Sequence, residues 1–188
     1  RNYLSLQLFN EILKIMAEEN KKLRRKPGQE KDEIVGKVEY HKEVFSPILN
    51  NKRDIVVWLP IGYNPQKNPD KKYPILYMHD GQNIMDPKTA YVGKDWRVDE
   101  TVMKLIKQKK IKEIIVVGIY NSPDRLDEYS WTEKGQNYLK FIVTELKPFI
   151  DSSYKTLSDK DNTAIMGSSM GGLISFYAAW HYPDVFSM

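Results

Sequence analysis

Gly167-Ser168-Ser169-Met170-Gly171-Gly172 is the stretch of this 188-residue sequence best suited to chemistry. It matches G-x-S-x-G with Ser169 at the centre, and it lies between an apolar run at 163–166 and a helical pattern. That context predicts a serine on a tight strand-to-helix turn. Such a turn presents the hydroxyl as a nucleophile at the head of the helix. The amide of Met170 then points to where an oxyanion forms during acyl transfer. The plain alternative is a structural Gly/Ser turn. The glycines fit neither G-x-x-x-x-G-K-[ST] nor G-x-G-x-x-G, which argues against a phosphate cradle.

His79-Asp80-Gly81-Gln82-Asn83 is the second stretch, at the end of the apolar run Tyr73–Met78. Where a serine sits on such a turn, the second oxyanion donor is a backbone N–H from the loop after the third strand. The amide of Gln82, just after Gly81, fits that position. Each such donor is worth on the order of 3 kcal/mol. The alternative is an ordinary strand-end turn held by Asp and Asn.

A serine hydroxyl also needs a base, usually a histidine oriented by a carboxylate, in the chain order Ser, Asp or Glu, His. Residues 170–188, 19 in all, follow Ser169 and contain His181 and Asp184 in the reverse order. Twelve residues of helix would place His181 about 18 Å away along the axis, so both read as structural. His79 is the other candidate base, and His41 receives no catalytic role. The sequence therefore predicts that the acid and the histidine lie beyond Met188. The C-terminal remainder of the domain would carry them, whether disordered, clipped or present as a separate chain.

The elements that must hold these groups follow from hydrophobic period. Ile34–Val44, Asp54–Leu59, Tyr73–Met78, Ile114–Ile119 and Thr163–Met166 read as strands. Helices are predicted over about 98–110, with Val98, Val102, Leu105 and Ile106 inward, and over about 135–150, with Tyr138, Ile142, Leu146 and Phe149 inward. A third starts at Ser169 and buries Leu173, Ile174 and Tyr177. Buried strands alternating with amphipathic helices imply an α/β domain with a mostly parallel sheet. Ligands in such sheets sit at the carboxyl ends of the strands. The loops His79–Arg97 and Tyr120–Lys134 should therefore frame a site. Asn83 lies in the first of them. Trp96, Tyr129 and Trp131 could stack on an aromatic acyl group, and Arg125 could pair with an anionic substituent. The alternative is that these residues fix the loops in place.

These motifs resemble the putative-esterase (esterase D-like) branch of the α/β hydrolases, which includes siderophore, feruloyl and acetyl-xylan esterases and mycolyltransferases. The resemblance rests on several segments. They are Trp58-Leu59-Pro60 with Gly62-Tyr63, Tyr73–Asn83, Asn121–Arg125 with Glu128-Tyr129, Gly167–Gly172 and Tyr182–Phe186. It covers roughly residues 36–188 and implies an α/β-hydrolase fold of which this chain holds the N-terminal two thirds. It implies Ser169 as nucleophile, the amides of Gln82 and Met170 as oxyanion hole, and no cofactor. The implied reaction is hydrolysis of a siderophore, aryl or carbohydrate ester. Acyl transfer through the same serine and a non-catalytic binding module are the competing readings.

Residues 1–30 match no part of that pattern. Leu4, Leu8, Phe9, Ile12, Met16 and Leu23 recur at helical spacing, so an amphipathic helix and linker are predicted ahead of a domain at 31–188. The basic run at 21–26 follows the apolar stretch, which is the wrong order for a signal peptide. Hydrophobic residues make up 41% and charged residues 29%, which excludes disordered and collagen-like classes. The absence of cysteine excludes disulfide scaffolds, thiolate metal sites and cysteine nucleophiles. Three scattered histidines offer no metal-ligand spacing. No run reaches the roughly 18 apolar residues of a membrane span. A net charge of +4, spread along the chain, only weakly suggests an acidic partner. The basic run at 21–26 offers a nucleic-acid or membrane-surface arm as the alternative to a packing helix, but with no recognised motif no nucleic-acid partner is expected.

Overall fold

Alternation of β-branched and aromatic residues builds the first two strands of the computed structural model, which describes residues 34–187. The helix expected at 3–25 and the linker up to residue 30 lie outside the described residues. β1 (Lys37–Ser46) and β2 (Asn51–Leu59) pair antiparallel, with an irregularity between His41 and Val44 where Glu43 takes φ 51°. β3 (Ile75–His79), β4 (Ile115–Ile119) and β5 (Thr163–Met166) are short and buried almost throughout. The sheet order is β1-β2-β4-β3-β5.

The sheet departs from the mostly parallel arrangement that the sequence predicts. β3 runs parallel to β4 and β5, but β2 pairs antiparallel with both β1 and β4. The first two strands form a hairpin with a short connection, which cannot be parallel. β5 is an edge among the described strands.

The sheet buries both faces. Ile55, Val57, Tyr77, Val117 and Ile165 point to one side and meet Tyr138, Leu139, Ile142, Leu146, Ile174 and Ala178. Val56, Trp58, Leu76, Met78 and Val116 point to the other and meet Val98, Val102 and Leu105. That second cover is α1 (Val98–Lys107). The first comprises α3 (Glu133–Phe141), a π-helical segment (Ile142–Leu146), α4 (Lys147–Ser153) and α5 (Met170–His181). α2 (Arg125–Glu128) is a single turn in the loop after β4. The helix predicted over 135–150 is thus one continuous path with a π segment inside it. Phe149, expected inward, is 37% exposed, and Leu173 is 39% exposed. The extra residue of a π turn rotates the helix face that follows it. Leu173 instead joins Phe176 and Trp180 on the outer face of α5.

β3 and β4 end together at His79 and Ile119, and Met166 ends β5 beside Met78. The loop after β3, the loop after β4 and the head of α5 therefore converge at one end of the sheet.

Candidate active site

Ser169 stands at the junction of β5 and α5 with φ 54° and ψ −122°, a conformation that side chains other than glycine rarely adopt. The turn closes because Gly167 has no side chain where the backbone of Gly171 passes. A Cβ on Gly167 would lie 2.8 Å from the carbonyl carbon of Gly171. The result is an exposed Ser169 at the N-cap of α5. Met170 is the first residue of that helix, so its N–H has no acceptor within the helix and lies at the positive end of the dipole. Gly171 packs toward the end of β3. A Cβ there would come 3.4 Å from His79 Cβ and 3.6 Å from Asp80 Oδ2.

The loop after β3 turns at Asp80, which is left-handed (φ 58°, ψ 44°), and continues into a 3-10 turn over Gly81–Asn83. Gly81 presses against β4, where a Cβ would meet the carbonyl carbon of Gly118 at 2.5 Å and the nitrogen of Ile119 at 2.7 Å. The Asp80 carboxylate is buried. Its Oδ1 accepts from Asn121 Nδ2 and Arg125 Nε, each at 2.7 Å, and Oδ2 accepts from Arg125 Nη2 at 2.8 Å. The Asp80 N–H donates to the Tyr129 hydroxyl at 3.1 Å. Burial alone would raise the Asp80 carboxyl. The bonds from Arg125 and Asn121 outweigh it and hold the group below the usual carboxylate range. The Gln82 side chain accepts from the Asn121 N–H at 3.2 Å, and its carbonyl accepts from Thr89 Oγ1 at 2.7 Å.

All three histidines have other work. His79 is fully buried, its Nδ1 is 2.8 Å from the Tyr138 hydroxyl, and its Nε2 has no partner. Burial drives its pKa down to about 3, so the ring is neutral and enclosed. His181 is exposed at the end of α5, which does run unbroken from Met170, and stacks on Trp131 with centroids 3.9 Å apart. His41 lies on β1, 2.7 Å from the Tyr154 hydroxyl.

The loop residues singled out from sequence divide by exposure. Tyr129 has no exposed surface, so it cannot stack on a ligand here. Its ring packs 5.2 Å from that of His79 and its hydroxyl serves Asp80. Asn83 ties its own loop, accepting from the Tyr91 N–H at 2.9 Å through Oδ1 and from the Trp96 N–H at 2.7 Å through its carbonyl. Trp96 is half-buried against the α1 side of the core. Arg125 is committed to Asp80 but stays partly exposed, and Trp131 is 41% exposed. Sequence reading missed the pairing of Asp80 with Arg125 and Asn121. The partners lie in the two loops expected to frame the site, but 41 and 45 residues separate them and no local pattern announces such a bond.

Among the described residues, one group has the side chains of a metal site: Asp95, Asp99 and Glu100 at the start of α1. Its oxygens are partly occupied by the N–H groups of Arg97 and Val35 and by Arg97 Nε. No described helix is long and apolar enough to cross a membrane.

Comparison with known proteins places this arrangement. The family model described as Putative esterase matches residues 46–188. YjcH, an uncharacterized protein of Bacillus subtilis, is 26% identical over 148 residues, which cover 77% of this chain and 57% of that protein. A solved ferulic acid esterase is 29% identical with a TM-score of 0.60, and the match covers 81% of this chain and 56% of that one. Enterochelin esterase from Shigella flexneri shares the fold at 20% identity with a TM-score of 0.63, over 85% of this chain and 36% of that one. The chain thus spans little more than half the length of the first relatives it matches. The turn at Ser169, the sheet that carries it and the family match agree: this chain belongs to the Putative esterase family and carries an α/β-hydrolase fold.

Proposed function

We propose that the protein is a serine hydrolase that cleaves carboxylic esters through an acyl-enzyme on Ser169. The observation that carries this reading is the backbone of Ser169, held at φ 54° and ψ −122° with its side chain exposed. Strain of that kind persists where the surrounding structure over-determines it and the site uses it. Ser169 Oγ attacks the ester carbonyl, and the carbonyl π electrons move onto oxygen. The amides of Met170 and Gln82 receive that oxyanion. Its collapse expels the alcohol and leaves the acyl group on Ser169, and water then attacks the acyl carbon and releases the acid. The proton from Ser169 goes to a base outside this chain, because His79 is buried and neutral and His41 and His181 are engaged elsewhere. Its orienting acid is assigned there too, in the part of the relatives' length that this chain does not span.

The substrate class that fits best is an aryl or carbohydrate ester, with a siderophore ester as the second member of the group. A similar protein is a ferulic acid esterase, and another of the same fold is an enterochelin esterase. Trp131 and the partly exposed edge of Arg125 are the surfaces offered for an aromatic, anionic acyl group. Hydrolysis of a feruloyl sugar, a catecholate lactone and short p-nitrophenyl esters by the full-length protein tests the reading. The expected result is turnover of at least one, abolished by Ser169→Ala. Turnover that survives Ser169→Ala would overturn it. Product analysis with an added alcohol separates hydrolysis from acyl transfer.

A further inference from the structure

The 3-10 turn that presents Gln82 has only three residues and few bonds of its own. Its own loop holds it through Thr89 Oγ1 and the N–H groups of Tyr91 and Trp96, and the loop after β4 holds its entry at Asp80. Arg125 takes Asp80 through two parallel N–H bonds, Asn121 bonds Asp80 with its side chain and Gln82 with its backbone, and Tyr129 accepts from the Asp80 N–H. Asp80 holds a left-handed conformation that Asp tolerates better than most residues with a side chain, and these bonds fix its carboxylate in place there. The Asp80 carbonyl accepts from the Asn83 N–H at 2.9 Å, so turning Asp80 turns the whole segment.

Charge adds a second consequence. The Asp80 carboxylate lies 3.6 Å from where a Cβ of Gly171 would be, next to Met170 at the head of α5. A bare carboxylate there would oppose negative charge developing on a substrate oxygen. The Arg125 guanidinium, over the Tyr129 ring at 4.8 Å, cancels it.

We propose that Arg125 is a positioning residue for acyl transfer: it holds Asp80, and through it the Gln82 amide, while neutralising a carboxylate that packs against Gly171 at the head of α5. The inference rests on the assignment of Gln82 as an oxyanion donor. A donor of this kind acts on the transition state more than on bound substrate, so its misplacement lowers kcat with little change in KM.

The test compares Arg125→Gln, Asp80→Asn and the double variant in the full-length protein, with kcat, KM and melting temperature measured on a p-nitrophenyl ester. Arg125→Gln leaves a bare carboxylate and is expected to lose roughly 100-fold in kcat, with KM within about threefold. Asp80→Asn and the double variant should lose only about 10-fold, so that removing the carboxylate partly rescues the loss of the arginine. Guanidinium ion should restore part of the activity of Arg125→Ala. A merely structural pair would rank the variants by melting temperature and show neither rescue. Wild-type turnover together with Arg125→Gln kcat within twofold of wild type, or a double variant no better than Arg125→Gln, overturns the inference. A wild-type protein that neither hydrolyses esters nor reacts with a fluorophosphonate overturns the Ser169 reading and this inference with it.

Discussion

Gly167 and Gly171 face each other across the turn at Ser169 so closely that a methyl group on Gly167 would sit 2.8–2.9 Å from three backbone atoms of Gly171. Neither neighbour can move without moving β5 or α5. Gly167→Ala should therefore abolish reaction of Ser169 with a fluorophosphonate and lower stability by about 2 kcal/mol or more, read by urea unfolding. Normal labelling and normal stability would show that the turn is looser than this contact implies.

Strain at Ser169 has its own signature. Ser169→Gly should relieve the cost of a positive φ and raise stability by about 1 kcal/mol, net of the entropy that glycine adds to the unfolded chain. Ser169→Ala keeps a Cβ in the same conformation and should leave stability near wild type. Both remove the Ser169 hydroxyl. Thermal melts of the pair test this, and equal melting temperatures would argue against stored strain.

His79 makes folding sensitive to acid. The folded state holds it neutral, with a pKa near 3, while the unfolded chain binds a proton near the ordinary value of about 6.5. Below that value the unfolded state takes up a proton that the folded state cannot. Stability should then fall by about 1.4 kcal/mol per pH unit between roughly pH 6.5 and 3 from this one group. Asp80 acts in a lower window: its folded pKa is depressed, so its contribution is present above about pH 4 and lost only as pH drops through the lowered value. His79→Gln should remove the slope between pH 6.5 and 4 while retaining a partner for Tyr138. An unchanged slope would assign the acid sensitivity elsewhere.

Arg53 and Glu128 form an ion pair that is almost fully enclosed, with Arg53 Nη2 2.7 Å and Nη1 3.3 Å from the two carboxylate oxygens. Ser122 Oγ donates to the same carboxylate, and the guanidinium lies over the rings of Tyr138 and Phe141. Arg53→Met alone leaves a buried carboxylate without its counter-charge and should cost about 3–5 kcal/mol. Adding Glu128→Leu should recover much of that loss, because the pair gives back in attraction little more than its burial costs. Chemical denaturation of the single and double variants reads both effects.

The strand-to-helix turn at Ser169 was legible because it is local. Six adjacent residues and the period change on either side specify it. The position of β3 was legible for the same reason. The mixed sheet was less so, since strand direction depends on which strands become neighbours rather than on their residues. The buried pair Arg53–Glu128 and the part-buried pair Asp80–Arg125 were invisible, being joined across 75 and 45 residues by the fold alone. Tyr129 misled because an aromatic residue in a polar loop looks like a binding surface until its burial is known. The π segment at 142–146 displaced Phe149 from the face that a regular helix assigns to it.

The central claim is that Ser169 becomes acylated. Intact-mass and peptide mass spectrometry of the full-length protein, quenched in acid within seconds of mixing with a p-nitrophenyl ester, reads this directly. One acyl group per protein is expected, carried on the peptide that contains Ser169, together with a burst of p-nitrophenol; both are lost in Ser169→Ala. Turnover with no acyl adduct, or an adduct on another residue, would contradict it.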